Sequence, residues 1–382
     1  MKIFLSFLQS PVNYAIPAYN FWQCYIKNGI EEAGHQWAEN SDVDWALGIV
    51  PKSKTLHNNW KQETWGKTVA WLKKNPVDLF LSYLYPEQID VHAIAEIQKA
   101  GIPCINFFCD NIRLLKKVPD EFACFDLNWV PEFEALSLYA KAKYQYIYLP
   151  MPMWVDPTLR SVQKESFTQL TFLGSKDIQR QLLFENIIRK RQSLPLKIYG
   201  NGWMEENNIQ HKDNSYTWQK KVHFQYQFLK DNGIQAYARK LNRRKISNEL
   251  SATLQGMIQP IQTSFNYEQL TARSMITIGV NRYPSCHYPL SNPNTYSRLR
   301  DIEAPMLGAC YLTEWAPGLD LLYDLGTDIE TYKNEDEFIY KANLLMADPE
   351  RRKQLKINGQ ARALKAHTIS ESLKKLIDHL KL

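Results

Sequence analysis

Arg300 and Glu303 stand three residues apart in the stretch TYSRLRDIEAPMLGACYLTE, with Tyr296 one turn ahead of them and Pro305 and Gly308 just behind. A guanidinium offers a planar fork that holds phosphate through two hydrogen bonds, and a carboxylate accepts from hydroxyl groups. At i, i+4 and i+7 these three side chains fall on one helical face, while Leu299, Ile302, Met306 and Leu307 recur on another that can meet a core. Spacing alone favours the plainer reading, an Arg300–Glu303 surface pair worth about 0.2–0.5 kcal/mol. Pro305 cannot donate to the Asp301 carbonyl, which predicts a kink or restart of the helix, and Gly308 predicts close packing before the next strand.

Three other turns carry polar groups to positions where chemistry is possible. LGSKDIQR ends a strand and opens a helix, placing Gly174 and Ser175 at a turn whose N–H groups could bind phosphate, with Arg180 in the first turns that follow. An ordinary turn capped by Asp177 fits those residues equally well. IYGNGW puts Gly200 and Asn201 in a turn after the next strand. In FFCDN, Asp110 follows an apolar strand, where it either reaches a cleft or caps a helix beginning near Ile112. No cluster of His, Cys or acids has metal-ligand spacing, and there is no Asp-x-Asp pair for a divalent ion.

These positions need a scaffold, and the chain supplies one by alternation. KIFLSF, DWALGIV, VDLFLSY, IPCINFF, FDLNWV and YQYIYLP are separated by helical stretches, and LTFLGS, PLKIYGNGW, MITIGV, ACYLTE and DIETYK continue the alternation before the C-terminal helices. Continuous apolar strands with helices between them predict parallel sheets covered on both faces. The prolines of PMPMWVDP divide two such units, so residues 1–150 form a Rossmann-like first domain and 151–366 a second. Residues 367–382 are expected to be a helix able to cross back to the first. The cleft between the units is the expected site.

Residues 204–264 interrupt the alternation with a polar, helical insertion, strongly basic over 212–245 and interleaved with aromatics. It reads either as a solvated helical excursion or as a surface for an anionic or sugar-containing acceptor. A net charge of +6 over 382 residues is too mild for a nucleic-acid-binding chain. The opening MKIFLSFLQS is too short for a signal-peptide core, and no run approaches the roughly 18 apolar residues of a membrane span. Six cysteines without CxxC spacing read as reduced, and a cytoplasmic location is expected.

The order Arg300, Glu303, Pro305, Gly308, Thr313, then Tyr332, Glu337, Pro349, Arg352, Gly359 and His367, joined to the strand and turn segments quoted above, resembles the CgeB-like, spore-maturation-protein-type glycosyltransferases of the GT-B superfamily. The resemblance implies an α/β GT-B fold, two Rossmann-like domains facing across a cleft, with the basic helical insertion in the second. It implies a hexosyltransferase with a nucleotide diphosphate sugar as donor, without a metal or other cofactor. Glu303 then addresses the ribose, Arg300 and Arg180 the phosphates with Gly174, Ser175 and Tyr296 beside them, and Gly200 and Asn201 the base. Arg300 and Asp110 become the candidate catalytic groups, Asp110 as a base if the reaction inverts, and Arg243, Arg244 and Lys245 the candidate contacts of an unidentified acceptor. Two departures leave the stereochemistry open: Thr295 stands where many retaining relatives have a second glutamate, and no glycine-rich loop follows the first strand. A catalytically silent nucleotide-sugar-binding protein and a nucleotide-sugar epimerase are the alternatives.

Overall fold

The computed structural model describes the chain apart from residues 13, 15–18, 51–52, 192, 205–217, 246–248 and 261–265, and apart from the side chains of 19–21, 218–221, 223–224, 231 and 244–245. Five of the first six apolar runs become β1 (Lys2–Ser6), β3 (Leu79–Ser82), β4 (Cys104–Phe107), β5 (Leu127–Val130) and β6 (Tyr146–Tyr148), which with β2 (Gln36–Ala38) form a parallel sheet in the order β2-β1-β3-β4-β5-β6. A second parallel sheet holds β7 (Phe167–Leu173), β8 (Leu196–Tyr199), β9 (Ser274–Gly279), β10 (Tyr311–Glu314) and β11 (Glu330–Tyr332), in the order β11-β10-β9-β7-β8. Every residue of β3, β4, β5 and β10 is buried, which is why these strands lack the polar alternation of a half-exposed sheet.

One polar row crosses the first sheet near the carboxyl ends of its strands. Ser6 pairs in register with Ser82, Ser82 with Asn106, and Asn106 with Asn128, all buried. Ser82 Oγ lies 2.9 Å from Asn106 Oδ1, which also accepts from the Leu84 N–H at 3.0 Å. A slip of one residue would turn Ser82 and Asn106 to the opposite face and break these bonds, so the pair holds the register where loops leave for the cleft.

DWALGIV departs from expectation. It is a 3-10 turn, Ala46–Ile49, and the neighbouring sheet position is taken by the three residues of β2. Asp44 accepts from the Leu47 N–H at 2.9 Å, and Gly48 lies so close to the Trp60 ring that a Cβ would come within 2.3 Å of it. The run is apolar because it is buried beneath the Trp-rich helix Lys54–Lys74, not because it is extended.

The larger apolar core extends from the first sheet into Ile302, Met306 and Leu373, while the smaller lies around the second sheet. The terminal helix (Ile369–Leu380) packs on the first helix (Tyr19–Glu32), and Gly29 makes that contact possible: a Cβ there would fall 2.5 Å from Ile369 Cβ. The insertion appears as the basic helix (Trp218–Lys245), broken at Gly233, whose φ of 81° is left-handed. No helix among the described residues is long and apolar enough to cross a membrane.

Candidate active site

The helix carrying Arg300 and Glu303 runs only from Leu299 to Met306. This corrects the shared face expected for Tyr296, Arg300 and Glu303. Tyr296 precedes the helix, its N–H bonded to the Asn281 carbonyl at 3.2 Å. Asp301 sets the start: its buried carboxylate accepts from the Arg298 N–H at 2.9 Å and from the Tyr311 and Thr313 hydroxyls, each at 2.9 Å. Pro305 lies in the last turn rather than at a kink, and Gly308, at φ 72°, ends the helix by donating to the Pro305 carbonyl.

Glu303 is 4% exposed and fully engaged. It accepts from the Tyr267 hydroxyl at 2.9 Å and from the Tyr25 hydroxyl of the first helix at 3.2 Å, and it pairs with Arg300 at 2.6 Å. Burial is the largest single influence and opposes the Arg300 charge, but Glu303 together with the Tyr311, Tyr267 and Tyr25 hydroxyls outweighs it and raises the arginine's pKa. Burial and Glu303 together push the Tyr25 and Tyr267 hydroxyls up, so both remain donors.

Arg298, Arg300 and Tyr296 all lie within electrostatic reach of Arg180. Burial, followed by repulsion from Arg298, pushes the Arg180 pKa down to about 10. Arg298 Nε is buried and makes no hydrogen bond among the described residues, and Arg180 Nε has only the Asp177 carboxylate, 3.3 Å away and out of hydrogen-bond alignment. A cluster of half-buried cations with unmet N–H groups is arranged for an anion. Arg298 was not singled out in the sequence; the Arg-x-Arg spacing at the helix start was the available signal.

The two glycine turns interlock beside this cluster. A Cβ on Gly200 would stand 2.1 Å from the Gly174 carbonyl oxygen. The Gly174 N–H is held by the Tyr199 carbonyl at 2.8 Å and the Lys176 N–H by the Asn201 carbonyl at 2.9 Å. A phosphate contact through the Gly174 N–H is therefore closed; Ser175 stays exposed and Arg180 Nη1 donates to its carbonyl at 2.6 Å. Asp177 caps the following helix, accepting from Gln179 and Arg180 at 2.9 Å each.

Across the cleft stand three acids of the first domain. Asp110 occupies the N-cap position of the turn Asn111–Leu114, yet its side chain makes no cap bond, which corrects the capping alternative. Glu132, at the end of β5, caps that turn instead, accepting from the Asn111 N–H at 2.7 Å. Asp110 instead accepts from the Tyr85 hydroxyl at 2.9 Å and lies 3.8 Å from Arg113. Glu134 has both carboxylate oxygens buried without a hydrogen-bond partner, and burial pushes its pKa up to about 7. Tyr296 feels Glu132 and Asp110, and Tyr283, in edge contact with Tyr296 at 5.0 Å, feels Glu134. These two tyrosines thus join the cationic and acidic sides. Glu132 and Glu134 were also missed; FDLNWVPEFE places both just beyond a buried strand.

Burial raises the Glu132 pKa from 4.5 to about 8, against the N–H groups that favour its charged form. The folded protein therefore holds a proton there that the unfolded chain releases, and stability falls as pH rises from about 4.5 to about 8. Glu132→Gln keeps an acceptor for Asn111 and removes the titration. Its unfolding free energy is expected to fall by roughly 1–3 kcal/mol less than wild type's over that window in denaturant titrations. Parallel pH profiles for the two proteins would overturn this account of Glu132.

Arg243 donates to the Ser285 carbonyl, whereas the side chains of Arg244 and Lys245 lie outside the described residues. Among the described residues no three His, Cys, Asp or Glu side chains are grouped to hold a metal ion. Several residues of the family-like pattern build the frame: Arg352 binds Glu165 at 2.9 Å, Tyr332 reaches the Gly279 carbonyl at 2.8 Å, and His367 contacts the Leu322 carbonyl at 2.8 Å.

Residues 179–378 match the family model described as glycosyl transferase-like. No curated protein matches the sequence. Among solved structures, a glycosyltransferase from Rickettsia africae aligns with a TM-score of 0.59 at 10% identity, covering 100% of this chain and 97% of that one. HepE of Anabaena, in complex with UDP and glucose, gives 0.56 at 11% identity, covering 100% and 99%. Sucrose-phosphate synthase from Thermosynechococcus elongatus gives 0.54 at 12%, covering 99% and 98%. These likenesses establish the GT-B architecture of two parallel-sheet domains, and with the family model matching more than half of its residues, the chain belongs to the glycosyl transferase-like family.

Proposed function

We propose that the protein transfers a hexosyl group from a nucleoside diphosphate sugar to an acceptor hydroxyl, as a CgeB-like member of its family and without a metal ion. The observation that carries this reading is the convergence of the half-buried Arg180, Arg298 and Arg300 on the cleft edge of the second domain, with the Nε of Arg180 and of Arg298 left without a hydrogen bond among the described residues. A nucleotide sugar has an anionic diphosphate and a neutral, hydroxyl-rich sugar. Its two parts match a cationic wall facing Asp110, Glu132 and Glu134. The arginines would stabilise the diphosphate as it gains charge on leaving. Gly200, Asn201 and Ser175 line the nucleotide side of this proposal. Glu303 reaches a ribose only after releasing Tyr25 or Tyr267, and the bond to Tyr25 is one that domain opening breaks. The acceptor is kept on the side of Arg243, Arg244 and Lys245, near the loop held by Arg243.

A nucleoside diphosphate at about 100 times its dissociation constant is expected to raise stability by about 2.7 kcal/mol, a visible shift in thermal unfolding. Uridine, guanosine, adenosine and thymidine diphosphates, each with its hexose conjugate, make the screen. No shift with any of them would overturn the donor assignment. Binding without transfer or hydrolysis would favour a silent sugar-nucleotide-binding protein, and donor conversion without an acceptor would favour an epimerase.

A further inference from the structure

The charge of this protein is concentrated in one element. The basic helix carries eight Lys or Arg against a single Asp, a net +7, whereas the whole chain carries +6. The remainder of the molecule is therefore slightly acidic.

The same helix exposes apolar side chains in two short rows. Val222 and Tyr226 are 57% and 64% exposed, and Leu229 follows at the spacing that keeps it on their face. Beyond the break at Gly233, Ile234, Ala238 and Leu241 repeat the pattern, and Ile234, at 76%, is the most exposed large apolar residue among those described. Arg239 and Arg243 point the other way, donating to the His287 and Ser285 carbonyls and fastening the helix to the second domain. Ala236 is buried against that body. The anchoring face is thus distinct from the apolar rows, and no described element covers those rows.

We infer that the basic helix docks the protein on an anionic membrane surface, lying in the interface with Val222, Tyr226, Ile234 and Leu241 inserted and the positive charge not used in anchoring, that of the exposed Lys230 included, toward the headgroups. Exposed apolar rows combined with a high positive charge are what such a surface rewards. A soluble polyanion would use the charge and leave Ile234 and Tyr226 in water. A second copy of the helix would be repelled by its own +7. The docking does not depend on the donor assignment, because it uses none of the cleft residues.

The test is cosedimentation of the full chain with phosphatidylcholine vesicles, with and without phosphatidylglycerol. Binding is expected only to the anionic vesicles and is expected to weaken as salt rises. Lys230→Ser with Arg244→Ser and Lys245→Ser should weaken it by about fivefold per charge removed. Tyr226→Asp with Ile234→Asp should weaken it by at least about tenfold while leaving thermal unfolding unchanged. The inference is overturned if folded wild-type protein fails to bind anionic vesicles, or if the aspartate pair binds them as well as wild type. It is also overturned if light scattering shows a dimer that the aspartate pair dissolves and that accounts for the exposed rows without vesicle binding.

Discussion

Replacing Arg180 and Arg298 together with alanine is expected to weaken binding of the preferred nucleoside diphosphate by roughly two to four orders of magnitude in calorimetry. Each guanidinium contributes a charge-assisted hydrogen bond worth about 1.5–3 kcal/mol, or about one to two orders in affinity. The unliganded protein should tolerate the change, because the two cations are half-buried near each other and Arg298 is a cause, after burial, of the depressed Arg180 pKa. The losses on the folding side are the ion pair with Asp177, one bond to the Ser175 carbonyl, one to the Arg282 carbonyl, and ring contacts with Phe172 and Tyr296. Affinity should therefore collapse while thermal unfolding moves little. A folded double variant with unchanged affinity would place the diphosphate elsewhere.

Asp110→Asn is expected to lower turnover by roughly two orders of magnitude or more, with an inverted product anomer by NMR, if its carboxylate takes the acceptor proton. The geometry suits that role because the carboxylate is fixed by Tyr85 at 2.9 Å and is not consumed in capping, which Glu132 performs. Nucleoside diphosphate affinity should be unchanged, since Asp110 belongs to the acidic wall. A retained anomer, or near-normal turnover, would remove Asp110 from the chemistry.

The sheets were legible because strands covered on both faces must be apolar throughout, as in LFLS, CINF and LNWV. The same rule misread DWALGIV, since burial makes a run apolar whether or not it is extended, while β2 was too short and too exposed to register. In the site, Arg300 and Glu303 could be picked out only through the family-like order of residues, since spacing alone favours a surface pair, and Arg180 because it follows a recognisable turn. Arg298 was hidden by a helix start set through Asp301, a contact with Tyr311 and Thr313 that no local pattern reveals. Glu132 was hidden for a similar reason. It caps a turn 21 residues earlier in the chain, and only the pairing of β4 with β5 brings the two together.

The packing of the terminal helix on Gly29 also determines how the two domains can move. The chain leaves the first domain near Trp154 and Arg160, which bind Glu32 at 2.8 and 2.7 Å, and it returns at Ile369 against Gly29. Glu32 and Gly29 are one turn apart on the first helix, about 5 Å along its axis. Two chain crossings so close together are placed to act as a pivot, and a rotation about them is the expected motion. Tyr25 sits only another turn from that pivot, so its bond to Glu303 has a short lever arm, whereas the facing walls of Asp110 and Tyr296 have a longer one. A rotation at that pivot is then expected to part Glu303 from Tyr25 and the arginines from the acids together.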